Sequence, residues 1–186
     1  MIAESTGSEK PPAAAAEGGL GAVLRRRPYL VPLAALLLAA AAYGNSLQGA
    51  FVFDDRPLLV DNSCHRGLHQ LPKLFALGGD SLCTLRPLRF VRYTLDHAIW
   101  GDRPLGYHLT NLLLHALVAW LGFALLRRLT QDPLLAALGA ILFALHPVNT
   151  ETVAYISGRR DLLMALFSLL AARFYLDVGR PGDTWR

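Results

Sequence analysis

The side chains best suited to chemistry in this 186-residue chain are carboxylates, arginines and imidazoles set at the ends of long apolar runs. Phe51-Val52-Phe53-Asp54-Asp55 puts two adjacent carboxylates just past the first such run. Like charges that close cannot both ionise freely in a low-dielectric setting, so one carboxyl is pushed toward protonation or the pair recruits a cation, and either outcome prepares a base or a ligand. Asp54 and Asp55 are therefore the candidate catalytic residues. The alternative is a turn, Asp54-Asp55-Arg56-Pro57, in which an Asp caps the backbone and Pro57 presets φ.

Other polar groups fall where apolar helices are expected. His108, Asn111 and His115 follow i, i+3, i+7 spacing and share one helix face. A polar stripe inside a membrane helix is costly and faces a cavity or another helix, although helix–helix hydrogen bonding also satisfies Asn and His. His146-Pro147 interrupts another apolar run, and Glu151 follows closely. In Gly158-Arg159-Arg160-Asp161, two arginines beside His146 and Glu151, and across from Arg86 and Arg89, describe a pocket for phosphate. Capping, with Asp161 at the N-cap and Gly158 at C′, explains the last phrase equally well.

These residues need a scaffold, and composition indicates which kind. Hydrophobic residues make up 53% of the chain and charged residues only 17%, too apolar for an ordinary soluble domain. The net charge is +4, yet the arginines are scattered at the ends of apolar runs and form no aromatic-interleaved patch, which argues against nucleic acid as a partner. An all-α membrane protein follows, with four transmembrane helices expected.

Residues 1–27 lack bulky apolar content and are expected to be a disordered cytoplasmic tail. Arg25-Arg26-Arg27 precedes the first span, 28–47, and sets its N-terminus inside. A cleaved signal peptide ending in the small residues of 29–42 is the rival reading of that stretch. Residues 48–105 form an outer loop too long to be structureless, with short interfacial helices expected at 69–77 and 87–100. In the latter, Pro87 suits a first turn, Arg92 and Asp96 pair at i,i+4, and Gly101 closes the helix. The second span is 106–126, followed by Arg127-Arg128. The third, 133–156, is interrupted at Pro147 and either kinks or breaks there to line a wet cavity. The fourth is 161–178, and 179–186 is a cytoplasmic end.

Cys64 and Cys83 both fall in the outer loop without Cys-x-x-Cys or Cys/His spacing, so zinc is not expected. They either remain thiols or form a disulfide across about 20 residues, worth roughly 3 kcal/mol.

Several phrases occur together and in order: Phe51-Val52-Phe53-Asp54-Asp55, Arg86-Pro87-Leu88, Gly106-Tyr107-His108-Leu109-Thr110-Asn111-Leu112-Leu113-Leu114-His115, and His146-Pro147-Val148-Asn149-Thr150-Glu151 running on to Ser157-Gly158-Arg159-Arg160-Asp161. Together they resemble the N-terminal membrane region of the transmembrane and tetratricopeptide-repeat O-mannosyltransferases and their bacterial relatives. The resemblance implies a partial GT-C-type fold, a polyprenyl-phosphate-linked sugar as donor, a protein hydroxyl as acceptor, and an acidic catalytic residue in the first outer loop, where Asp54 and Asp55 stand. It makes Arg86, His108, Arg159 and Arg160 candidates near the donor phosphate, joined from the residue reading by Arg89, Asn111, His146, Glu151 and Asp161. Within the pair it favours Asp54 as the base. The chain shows no 34-residue repeat and is expected to be an N-terminal fragment.

The leading expectation is thus a multi-pass membrane glycosyltransferase of the bacterial inner membrane or endoplasmic reticulum, acting on the outer or lumenal face. No cofactor is required, but a Mg2+ or Mn2+ bridging Asp54 and the donor phosphate suits hard oxygen ligands. A non-catalytic membrane anchor for an interaction module and a transporter segment are the alternatives.

Overall fold

The structure, a computed structural model, describes residues 19–27, 29–62, 65–75 and 87–178. Every regular element among them is helical. In chain order these are α1 (Leu20–Arg26), α2 (Leu30–Tyr43), α3 (Leu71–Leu74), α4 (Pro87–Trp100), α5 (Pro104–Thr130), α6 (Pro133–Leu145), α7 (Asn149–Ala154) and α8 (Arg159–Val178).

The ends follow local chemistry. Proline opens α5 and α6, where its missing N–H costs nothing. Asp132 caps α6, its carboxylate accepting from the backbone N–H groups of Leu134 and Leu135 at 2.8 and 3.3 Å. Gly101 ends α4 at φ +62, a left-handed conformation that favours glycine. The 27 residues of α5 give a length of about 40 Å, more than the roughly 30 Å hydrocarbon layer requires. That helix and Leu30–Gln48, which is α2 plus its 3₁₀ extension, are long and apolar enough to cross a membrane.

α5 is the central helix, packed against α2, α6 and α8 along its length and against α4 and α7 near its start. Buried alanines, among them Ala35, Ala39, Ala119, Ala136, Ala140 and Ala144, line the contacts. Such small residues let helix backbones approach closely, the packing mode that operates where lipid removes the hydrophobic drive between helices. Larger apolar side chains point outward, including Leu37, Leu138, Leu142, Phe167 and Phe174. A surface of that kind suits hydrocarbon better than water.

Three expectations change, and the alternative left open at Pro147 is decided. The tail expected to be disordered over 1–27 is helical from Leu20, because Leu24 buries with Val31, Phe123 and Ala136. The third run does not continue as one kinked helix over 133–156. It ends at Leu145, His146 turns extended at ψ 127, and α7 starts afresh at Asn149. Proline disfavours the helical conformation in the residue before it, and the Asn149 side-chain amide donates to the freed Phe143 carbonyl at 2.7 Å. The helix after Ser157-Gly158 begins at Arg159, so Asp161 sits in its first turn instead of at its N-cap, and Gly158 belongs to a 3₁₀ turn, Ile156–Gly158. In the outer loop, the described part of the helix expected at 69–77 is a single turn, α3, after a 3₁₀ turn at Leu68–Gln70, and residues 76–77 lie outside the described residues.

Candidate functional site

The chain leaves α2 through a loop that bends sharply at Phe53, whose φ of +46 is strained for an aromatic residue. Phe53 is 86% exposed. Adjacent side chains in such a bend diverge, and the two carboxylates do so. Asp55 turns inward and is fully buried. Its carboxylate accepts from the Ser157 backbone N–H at 3.0 Å, the Ser157 hydroxyl at 2.7 Å and, more weakly, the Val52 N–H at 3.4 Å. Burial raises the Asp55 pKa above the usual carboxylate value, while the Ser157 and Val52 donors and the nearby His108 ring act in the opposite direction.

Asp54 remains exposed. Its backbone N–H donates to the Tyr155 hydroxyl at 3.1 Å, which ties the bend to the segment following α7. Beside it opens a groove of about 510 Å³ lined by Val52, Phe53, Thr150, Glu151, Ala154 and Tyr155. The break after α6 makes this groove, because a continuous helix would not present Thr150 to Tyr155 to the loop.

Below the loop lies a buried polar core. Arg159 is 1% exposed, and its guanidinium donates to the Asp96 carboxylate, to the Asn111 side-chain oxygen at 2.6 Å and to the Tyr107 carbonyl at 2.8 Å. Thr110 donates its hydroxyl to the other Asp96 oxygen at 3.1 Å. The Asn111 amide donates to the Val153 and Tyr155 carbonyls at 3.3 and 3.0 Å. Arg159 therefore joins α4, α5 and α8, and Asn111 adds the end of α7. A guanidinium with its donors committed in this way is not free to clamp a phosphate, the role anticipated for it. Gly158, just before it, passes so close to α7 that a Cβ there would meet the Glu151 carbonyl at 2.9 Å.

The other anticipated residues divide by position. Glu151 lines the groove. Arg160 is exposed, its Nε 3.1 Å from Asp161. His146 is exposed at the helix break, where its Nδ1 accepts from the Val148 N–H at 3.2 Å. His108 is buried beside Asp55 with no hydrogen-bond partner on either ring nitrogen among the described residues. His115 lies deeper in the bundle against the Ala144 carbonyl at 3.0 Å. Arg89 is on α4, but its side chain, like Arg86, Cys64 and Cys83, lies outside what the structure describes. Among the described residues no group of three or more His, Cys, Asp or Glu side chains is arranged to hold a metal. A Mg2+ or Mn2+ at Asp54 would have to draw further ligands from substrate phosphate and water.

Three contributors were not singled out from sequence. Asp96, expected to pair with Arg92 at i,i+4, meets Arg159. Ser157 and Tyr155 carry only hydroxyls, whose use depends on which backbone they reach.

The class so defined is an all-helical protein with two helices fit to cross a membrane and an open acidic bend at one end. Comparison with known proteins gives the family. Protein O-mannosyl-transferase TMTC1 of Mus musculus is 39% identical over 184 residues, covering 89% of this chain and 20% of that protein. Tmtc1 of Drosophila melanogaster is 35% identical over 146 residues, 74% of this chain and 17% of that protein. TMTC2 of Homo sapiens is 34% identical over 170 residues, 84% and 20% respectively. The chain is a relative of the TMTC protein O-mannosyl-transferases over most of its own length, and this is the family its phrases resemble. It spans about a fifth of the length of the curated relatives it matches. No family model and no solved structure matches it.

Proposed function

We propose that this chain forms part of a membrane glycosyltransferase that moves a mannosyl group from a polyprenyl-phosphate carrier to a hydroxyl of a protein acceptor. The names of its relatives support the reaction class, and the apolar helices support a membrane setting. In this reading α2, α5, the broken α6–α7 segment and α8 cross the membrane in a partial GT-C-type arrangement. The loop carrying Asp54 faces outward or into the lumen.

The observation that carries the proposal is the divergence of the two carboxylates. Asp55 is consumed in holding the loop to Ser157, and Asp54 is left exposed next to Val52 and Phe53, which line an open groove. Asp54 takes the proton from the acceptor hydroxyl as its oxygen bonds to the anomeric carbon. The bond from that carbon to the phosphate oxygen breaks, and the electron pair leaves with the lipid phosphate. Arg160, exposed and paired through its Nε with Asp161, is proposed to balance that charge with its remaining N–H groups. Arg86 and Arg89 are proposed to assist, and Glu151 to position the acceptor from across the groove.

The test is transfer by membranes containing the full-length protein, supplied with radiolabelled mannosyl-phosphoprenol or with a nucleotide-linked mannose after the prenol-linked pool is blocked. Transfer from the prenol-linked donor alone, lost in Asp54→Asn, is expected. Transfer that persists in Asp54→Asn would overturn the assignment.

A further inference from the structure

The far end of α5 carries a second pocket that the transfer reaction does not use. Arg127 follows Asn111 by 16 positions, about 24 Å along the helix, so on the reading of α5 as a membrane span this pocket lies at the opposite membrane face from Asp54. Its volume is about 390 Å³, and Trp120, Phe123, Arg127 and Arg128 of α5 and Gln131 just past its end line it together with Arg173 of α8.

The charge within it is unbalanced. Asp177 lies 3.2 Å from the Arg173 Nε and 3.7 Å from an Arg128 nitrogen. That nitrogen also donates to the Leu176 carbonyl at 2.9 Å, so Asp177 and the end of α8 fix two guanidinium groups in place. Arg127 has no ion pair or side-chain hydrogen bond among the described residues. Among the described residues, three guanidinium groups against one carboxylate leave about two positive charges around a cavity that already exists. Arginine pairs at a cytoplasmic helix end are common as topology signals, but neither the Arg173 contribution nor the pocket between the two helices follows from that role.

We propose that this pocket binds the phosphate of an anionic membrane lipid. Guanidinium forks match phosphate oxygens, which makes phosphate the fitting chemistry. The lipid source is favoured over free phosphate because Trp120, 39% exposed, and Phe123 form the wall toward the apolar part of α5. Indole at that level marks the boundary between headgroups and acyl chains. The bound headgroup would bridge α5 and α8, holding together from the inner face the two helices that Arg159 and Asn111 join near the outer one.

The experiment uses the full-length protein with Trp100→Phe and Trp185→Phe substitutions, reconstituted in phosphatidylcholine vesicles, with the remaining indoles assigned by a Trp120→Phe control. Quenching of Trp120 fluorescence by brominated phosphatidylglycerol is compared with quenching by brominated phosphatidylcholine. Preferential quenching by the anionic lipid is expected, falling about fivefold for each charge removed in Arg127→Gln and Arg173→Gln and retained in Arg127→Lys. Equal quenching by the two lipids would overturn the site and leave α5 as a span. Loss of the preference on adding inorganic phosphate at constant ionic strength would also overturn it, by assigning the pocket to the free ion. Absence of quenching by either lipid would overturn the membrane placement of α5 and the site with it.

Discussion

Replacing Arg159 with methionine separates a structural guanidinium from a phosphate ligand. In the folded chain Arg159 and Asp96 are 1% and 5% exposed, and the substitution leaves the carboxylate buried with Thr110 as its remaining side-chain donor. Breaking a buried ion pair from one side costs about 3–5 kcal/mol, because the surviving charge is uncompensated. The Asn111 side-chain oxygen and the Tyr107 carbonyl lose their donors as well, which pushes the cost toward the upper end. For a chain of this size, about 4 kcal/mol corresponds to a fall in Tm of roughly 8–16 °C. Thermal unfolding in detergent, followed by circular dichroism, measures it. Arg159→Lys should lose less, keeping the charge but not the fork. The double variant Asp96→Leu with Arg159→Met should recover part of the loss by removing the orphaned carboxylate. An Arg159→Met protein that melts with the wild type but fails in sugar transfer would refute this reasoning and return the residue to the donor phosphate.

His65, buried against the edge of the His97 ring with 5.4 Å between centroids, has its pKa lowered to about 4, first by burial and then by the neighbouring His97 and Arg66 charges. The unfolded chain therefore binds the extra proton between pH 6.5 and about 4, so stability is full above that window and declines as pH falls through it. His65→Gln should flatten that decline in melts at stepped pH, and an unchanged slope would count against it. Asp55 has the opposite sign: its raised pKa means that stability declines as pH rises from the ordinary carboxylate value, and Asp55→Asn should remove that dependence in the same series. Gly158→Ala should cost about 1–3 kcal/mol through the close approach of the Glu151 carbonyl, and a neutral substitution would show that the turn relaxes. Reporter fusions after Lys73 and after Arg128 should report opposite membrane faces, with the first outside, whereas matching signals would contradict the proposed topology.

Much of the scaffold is legible because apolar length and terminal chemistry are local properties. The α4 helix could be bounded by Pro87 and Gly101 alone, and α5 could be found from its apolar run, although the helix starts at Pro104 and passes Arg127-Arg128 to end at Thr130. The break at His146 left two outcomes open, since whether a proline kinks or ends a helix depends on what satisfies the freed carbonyls, and here Asn149 does so. Asp161 and Gly158 were misassigned because capping residues look alike in sequence wherever the helix starts. The paired carboxylates could be found, and even their divergence anticipated, but which one is buried depends on Ser157, about a hundred residues away. Arg159 illustrates the same limit: an arginine that binds phosphate and one that binds Asp96 have the same local sequence.

The division of labour between the carboxylates is tested most directly by measuring Asp54→Asn and Asp55→Ala side by side in the full-length protein, each for thermal stability and for turnover from a prenol-linked donor. Asp54→Asn should keep the wild-type Tm and lose about 10²–10⁴-fold in kcat, as expected when a general base is removed from an intact site. Asp55→Ala should lower Tm, since it orphans the Ser157 N–H and hydroxyl. Wild-type turnover by Asp54→Asn, or an Asp55→Ala protein as stable as the parent, would contradict the assignment of chemistry to the first carboxylate and anchorage to the second.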